Sequence, residues 1–343
     1  MHQSLNEPPF VPEPLIPPTA AQKTWFSKQF ALVLLSAVVP AAAPVYGETF
    51  SFAILADPHI GGNPDNRAKF ETAVDWIIGN KESKDIELTF VLGDIAWGGS
   101  GGNRNLGTAK KILDRLGNNG ITYIPVIGDN EVQAGCEKEF QEVFRPHYKI
   151  LAGRLDNWRK SSAPVTGKYL QNFSFDYKDC HFVCPDFNSR KAGGEGGELH
   201  DFAGGSWRWF KNDIERCPKS KNENIVIMTH IGMFNTGFEF ADKFVYSESE
   251  METIKSFLND YKGNVDTNYA GHLHLNWYVP VWSRIFVPLY HVRVTDETWS
   301  QLQWPESEET GLTVRWVQVD NGGVKISYHQ NIENISEETP VWK

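Results

Sequence analysis

Five times along this chain a short apolar run stops at an Asp or a His, and that repeated junction constrains the fold more than any other feature. Residues 50–56 run into Asp57-Pro58-His59, 86–92 into Gly93-Asp94, 121–127 into Gly128-Asp129-Asn130-Glu131, 224–228 into Thr229-His230, and 265–270 into Gly271-His272-Leu273-His274. Each run has the length and apolar content of a buried strand. Amphipathic stretches lie between them: 66–80, with Phe70, Val74, Ile77 and Ile78 on one helical face, then 108–116, 137–144, 207–216 and 248–261. Strands alternating with helices predict an α/β fold layered around a sheet. Ligands in such folds collect beyond the carboxyl ends of the strands, so the five junctions are expected to converge.

From about residue 171 the chain turns toward strands. Residues 172–177 alternate apolar and polar side chains, and 181–183 follow a Lys178-Asp179 turn, which reads as a hairpin. A second hairpin is expected from 312–319 and 324–329, because the Asn321-Gly322 pair between them supplies the positive φ angles of a tight turn. The Gly-rich segments 98–102 and 193–197 read as surface loops. Residues 48–343 are taken as one folded domain.

Residues 1–47 differ in character: they hold eight of the 19 prolines and an apolar run at 30–39. A membrane span needs about 20 apolar residues, so this run fits the core of a secretory signal peptide better, with Lys23 and Lys28 as its basic flank. The expected destination is secreted or periplasmic; the alternative is tethering by an uncleaved anchor. Four cysteines, Cys136, Cys180, Cys184 and Cys217, suit an oxidising compartment. Cys180 and Cys184 are too far apart along one strand to bond each other, so a bridge from Cys136 to one of them is expected, with four buried thiols as the alternative. The 33 Lys and Arg against 43 Asp and Glu, a formal charge of −10, give no bulk positive field to attract nucleic acid or anionic lipid.

Each junction alone has a bland explanation: a Gly-Asp is usually a turn, and a single His on an apolar strand is usually a hydrogen-bonded core residue. Together they do not. Burying this set of ionisable groups without partners would cost several kcal/mol each, on the order of the penalty for any buried unpaired ion, and bound cations offset that cost. The ordered motifs Asp-x-His, Gly-Asp, Gly-Asp-Asn-Glu, His and Gly-His-x-His resemble those of the calcineurin-like metallophosphoesterase superfamily over residues 50–275. The resemblance implies a four-layer α/β/β/α sandwich of the metallo-dependent phosphatase type. It also implies two divalent or trivalent metal ions (Mn, Fe, Zn or similar). Asp57, His59 and His274 would hold one and His230 and His272 the other, with Asp94 bridging both. The implied activity is hydrolysis of a small phosphorylated substrate, a phosphomonoester, phosphodiester or nucleotide, by attack of a metal-bound hydroxide.

The third motif departs from the usual Gly-Asn-His-Asp/Glu. Asp129 replaces a neutral amide ligand and adds negative charge that favours harder metals. Asn130 replaces the His that protonates the leaving oxygen; an amide cannot act as an acid at neutral pH, although it can donate a hydrogen bond to a phosphoryl oxygen. Asp94 and Asn130 are therefore the expected catalytic pair, and His147, His181 and His200 are the candidates for a substitute acid. Asn103, Arg104, Asn188 and Arg190 are candidates for contact with phosphate. Trp97 stands where purple acid phosphatases have a metal-binding Tyr, and the Asp-Arg-Gly of Ser/Thr protein phosphatases is absent after Asp94, which disfavours both branches. The competing reading is a degenerate protein of this fold that binds metal or a partner without turnover.

Overall fold

The computed structural model describes residues 48–98, 102–133, 135–161, 164–191, 196–217, 224–235, 239–261, 264–274, 277–282, 288–294, 312–320, 323–331 and 338–342. The expected leader and most of both Gly-rich loops lie outside them. Among the described residues no helix is long and apolar enough to cross a membrane. The elements run β1 (Phe50–Leu55), α1 (Asn66–Lys84), β2 (Ile86–Leu92), α2 (Gly102–Asn118), β3 (Thr122–Val126), α3 (Asp129–Gln133), α4 (Glu137–Leu151) and β4 (Asp156–Lys160). They continue with β5 (Phe173–Tyr177), β6 (Cys180–Cys184), α5 (Ser206–Ile214), β7 (Asn224–Met228), α6 (Glu239–Asp242), α7 (Glu248–Asn259) and β8 (Val265–Ala270). The last are β9 (Trp277–Trp282), β10 (Pro288–Val294), β11 (Thr313–Asp320), β12 (Gly323–Asn331) and β13 (Glu338–Trp342).

Two mixed sheets result, one in the order β13-β12-β11-β1-β2-β3 and the other β4-β5-β6-β7-β8-β10-β9. Residue alternation decides what each strand face meets. In β7, Val226 and Met228 join the core shared with the first sheet, while Ile225 and Ile227 join a second core with Trp207 and Phe210 of α5 and Ile254 and Leu258 of α7. Aromatic rings fill the space between the sheets: Phe52 meets Phe182 and Tyr269 edge-on at 5.6 and 5.9 Å, and Phe90 lies 5.1 Å from Phe182. Phe70, Val74 and Ile77 of α1 are buried in the first core together with faces of α2 and α4. The layers are thus α/β/β/α.

Several boundaries differ from those read in the sequence. Helix α4 continues through Pro146 to Leu151 because Phe140, Phe144, Tyr148 and Leu151 bury one continuous face, which outweighs the one hydrogen bond that proline removes. Strand β4 has the polar sequence Asp-Asn-Trp-Arg-Lys, so no apolar alternation marks it; among the described residues it is an edge strand, paired with β5 alone. The expected disulfide is not formed. All four cysteines are thiols, and Cys180 and Cys184 occupy the two ends of β6 inside the first core.

Candidate metal centre

The first sheet presents Asp57 and His59 just past β1, Asp94 past β2 and Asp129 at the start of α3, and the second presents His230 past β7 and His272 and His274 past β8. All seven predicted ligands lie at these strand ends, in two groups whose donor atoms fall within 4.8 Å of one another: Asp57, His59 and His274, and Asp94, Asp129, His230 and His272. Asp94 faces both, with Oδ2 3.0 Å from His59 Nε2 and Oδ1 3.2 Å from His230 Nε2. Five of the seven, Asp57, His59, Asp94, His272 and His274, hold φ between 42° and 72°. Non-glycine residues avoid that region, so the surrounding fold must enforce it, as happens where a loop is shaped for a site.

Glycines open the space these loops need. At Gly93, φ is +82° and a Cβ would fall on the His230 ring, 2.6 Å from its Cγ and 2.7 Å from the Gly128 Cα. A Cβ on Gly128 would collide with the Asp94 backbone, lying 2.9 Å from its Cα. Glu131, part of the third motif but given no role by its sequence position, clamps two of the junctions: its carboxylate accepts from Ala96 N at 2.9 Å and Gly128 N at 2.7 Å. Burial and the Asp94 charge push its pKa up to about 8, against those two N–H donors.

The imidazole of His230 decides whether these groups suit a cation. Its Nδ1 donates to Leu92 O at 2.8 Å, so a neutral ring leaves a bare lone pair on Nε2. That lone pair faces Asp129 Oδ1 at 2.9 Å and Asp94 Oδ1 at 3.2 Å. Acceptors this close repel unless a proton or a cation stands among them. Accordingly, although burial alone would lower it, the neighbouring Asp94, Asp129 and Asp57 carboxylates hold the His230 pKa well above its usual value. The carboxylates respond in kind. Burial would raise Asp129, but the charge of His272 and hydrogen bonds from His230 and His272 hold it well below its usual range, and against the same burial His274 lowers the pKa of Asp57. A divalent or trivalent cation at each group would satisfy these atoms together, and the donor set of carboxylate oxygens and imidazole nitrogens is one that Mn, Fe or Zn takes.

Around the centre, Asn130 donates its backbone N–H to Asp94 Oδ1 at 2.8 Å and its Nδ2 to Asp94 Oδ2, with Nδ2 3.5 Å from His59 Nε2. Trp97, 43% exposed, stands edge-on to His59 at 5.1 Å, and Phe244 stands 6.1 Å from His272. The candidate acids are occupied elsewhere. His147 stacks on Tyr123 and bonds Tyr123 O, His181 is held between Asp176 and Asp213, and His200 donates to Asn188 O. The Arg190 side chain, 7% exposed, takes Asp186 in a two-pronged ion pair with Glu137 as a third contact, while Asn188 Nδ2 donates to Ile127 O. These two therefore brace the loops. Arg104 is exposed, and the side chain of Asn103 lies outside the described residues.

No protein-family model matches the chain, and no curated protein matches it by sequence. Among solved structures it is similar to a dimetal phosphatase from Danio rerio, with 14% identity and a TM-score of 0.54 over 85% of this chain and 98% of that one. It is also similar to the purple acid phosphatase PPD1 from yellow lupin (Lupinus luteus) seeds, with 12% identity and a TM-score of 0.56 over 86% of this chain and 53% of that one. The chain thus spans about half the length of the lupin protein. At such identities the likeness is one of architecture, and it agrees with the two sheets and flanking helices described above. The chain has the metallo-dependent phosphatase fold.

Proposed function

We propose that this chain is a metal-dependent hydrolase of phosphate esters acting on a small phosphorylated substrate. Asp57, His59 and His274 would hold one cation and Asp129, His230 and His272 a second, with Asp94 serving both. Bound there, two cations supply activation of water and neutralisation of phosphoryl charge. The observation that carries the reading is the convergence of seven metal-capable groups at the strand ends of both sheets, with the His230 lone pair aimed at two carboxylates.

The chain's own residues then shape what it can cleave. Asn130 lies between the two groups, and its amide can donate to a phosphoryl oxygen but can deliver no proton. Departure of the leaving group therefore relies on that group's own acidity, which favours aryl and other activated esters. Trp97, exposed beside His59, offers an apolar wall for such a group.

The test is to measure bound metal on the purified chain and screen aryl monoesters, aryl diesters and nucleotides. Hydrolysis lost with chelator and in Asp94→Ala, together with loss of metal at both groups, is expected. Full metal content without turnover on any of these esters would instead favour the binding-only reading, which Asn130 motivates. Metal and turnover retained in Asp94→Ala would overturn the shared role of that carboxylate.

A further inference from the structure

Away from the metal centre, helix α4 and edge strand β4 enclose a cavity of about 210 Å³, walled by Arg145, Lys149 and Lys160, by the rings of Tyr148 and Trp158, and by Gln141. None of these belongs to either metal group. Local geometry explains the gathering. Arg145 lies four residues after Gln141, and Tyr148 and Lys149 lie three and four after Arg145, on one face of α4, and Trp158 and Lys160 share one face of β4.

The cavity is unbalanced in charge. No carboxylate lines it, and among the described residues none of its three basic side chains is in an ion pair. Lys160 is held over the Tyr148 ring at 4.5 Å and gives one hydrogen bond, to Gln171 Oε1 at 2.8 Å, so two of its three ammonium donors have no described acceptor. Gln141 Oε1 is buried with no partner, an acceptor for a ligand hydroxyl or N–H. Trp158 stacks on Phe173 at 5.3 Å and is held rigid where it borders the cavity. Burial also brings the Lys160 pKa down to about 7, against the pull of Asp186 and Cys184, which leaves a good part of the amine neutral and nucleophilic near neutral pH.

We propose that this cavity is a second binding site, for a small aromatic molecule carrying a phosphate group: the Arg145 and Lys149 charges match a dianion, the Lys160 amine adds hydrogen-bond donors, and the two rings match an arene.

Pyridoxal 5′-phosphate is a suitable probe because its aldehyde condenses with a neutral lysine amine, losing water, and borohydride then reduces the C=N bond to a stable secondary amine. Brief pulses on the intact chain, read by peptide mass spectrometry, should label Lys160 at least about tenfold faster than pyridoxal, which lacks the phosphate. Phenylphosphonate should protect Lys160 at lower concentration than inorganic phosphate. Arg145 and Lys149 are exposed, so the double variant Arg145→Ala/Lys149→Ala should fold and keep its hydrolase activity. It should lose the preference for the phosphorylated aldehyde while still reacting with pyridoxal at the original rate. Equal labelling by the two aldehydes, or a preference retained in the double variant, would overturn the anion site, and equal protection by the two competitors would overturn the aromatic requirement. The readout is at Lys160 and does not depend on turnover at the metal centre.

Discussion

Gly93→Ala puts a single methyl group where two of the site's loops cross. Its backbone would have to keep a φ of +82°, which costs an L-residue about 1–2 kcal/mol. The new Cβ would lie on the His230 ring, 2.6 Å from Cγ, where ordinary contact begins near about 3.5 Å, so the ring must retreat by nearly 1 Å. That retreat breaks the buried hydrogen bond from His230 Nδ1 to Leu92 O, worth about 1–3 kcal/mol when a partner is left unsatisfied. The expected loss is about 2–5 kcal/mol, a large share of the roughly 5–15 kcal/mol that stabilises a typical domain. Urea unfolding followed by circular dichroism, with and without added manganese, measures the loss, and metal analysis should show depletion of the group containing His230. Gly79→Ala is the internal control: in helix α1, with nothing within 4 Å of the added Cβ, it should stabilise by about 0.5–1 kcal/mol. If Gly93→Ala unfolds within about 0.5 kcal/mol of the parent and binds both metals, the tight crossing of these loops is wrong.

Asp129→Asn should weaken the cation held with His230 and His272 by at least about tenfold while sparing the other, read by competition with a chelator; equal effects on both would contradict the division into two groups. His147 has its pKa lowered to about 4 by burial, below the roughly 6.5 of an unfolded His, so the unfolded chain binds the extra proton between those values. Stability from this group is present above about pH 6.5 and lost as pH falls toward 4, by up to about 3 kcal/mol, and His147→Phe should remove that part of the slope between urea midpoints at pH 7 and pH 5. Arg190→Met should cost about 3–5 kcal/mol because it strands buried Asp186, yet leave kcat/KM per folded molecule unchanged; an early fall in kcat/KM would restore Arg190 as a phosphate contact.

The five junctions were legible because each depends on two local signals, an apolar run and the polar residue that ends it. The structure ends β1, β2 and β8 within two residues of Asp57, Asp94 and His272. Where side chains found distant partners, sequence was silent. Arg190 reads as an open cation, but Asp186 and Glu137 take it up. Glu131 has nothing in its spacing to announce that it accepts from both Ala96 and Gly128. Pro146 gave a local stop signal that tertiary burial of α4 overrode, and β4 carried no alternation because its side chains lie at a half-exposed sheet edge. The left-handed backbone at Asp57 and His59 is likewise invisible in residue type, since it is imposed by what the loops pack against.

Strand β1, which carries Asp57 and His59 at its end, has β2 on one side and β11 on the other, with Phe50 opposite Val319. Its second neighbour is therefore made long after it during synthesis, and the second sheet must supply His230, His272 and His274 in between. A nascent chain that has emerged only as far as His274 holds every candidate ligand but exposes one hydrogen-bonding edge of its central strand. Such an edge recruits other strands, so this intermediate is the one prone to aggregate and the one a chaperone would have to shield. Closure of β11 onto β1 is a long-range pairing and hence a slow one. The site thus acquires its final backbone only when the hairpin that contributes none of its ligands has docked.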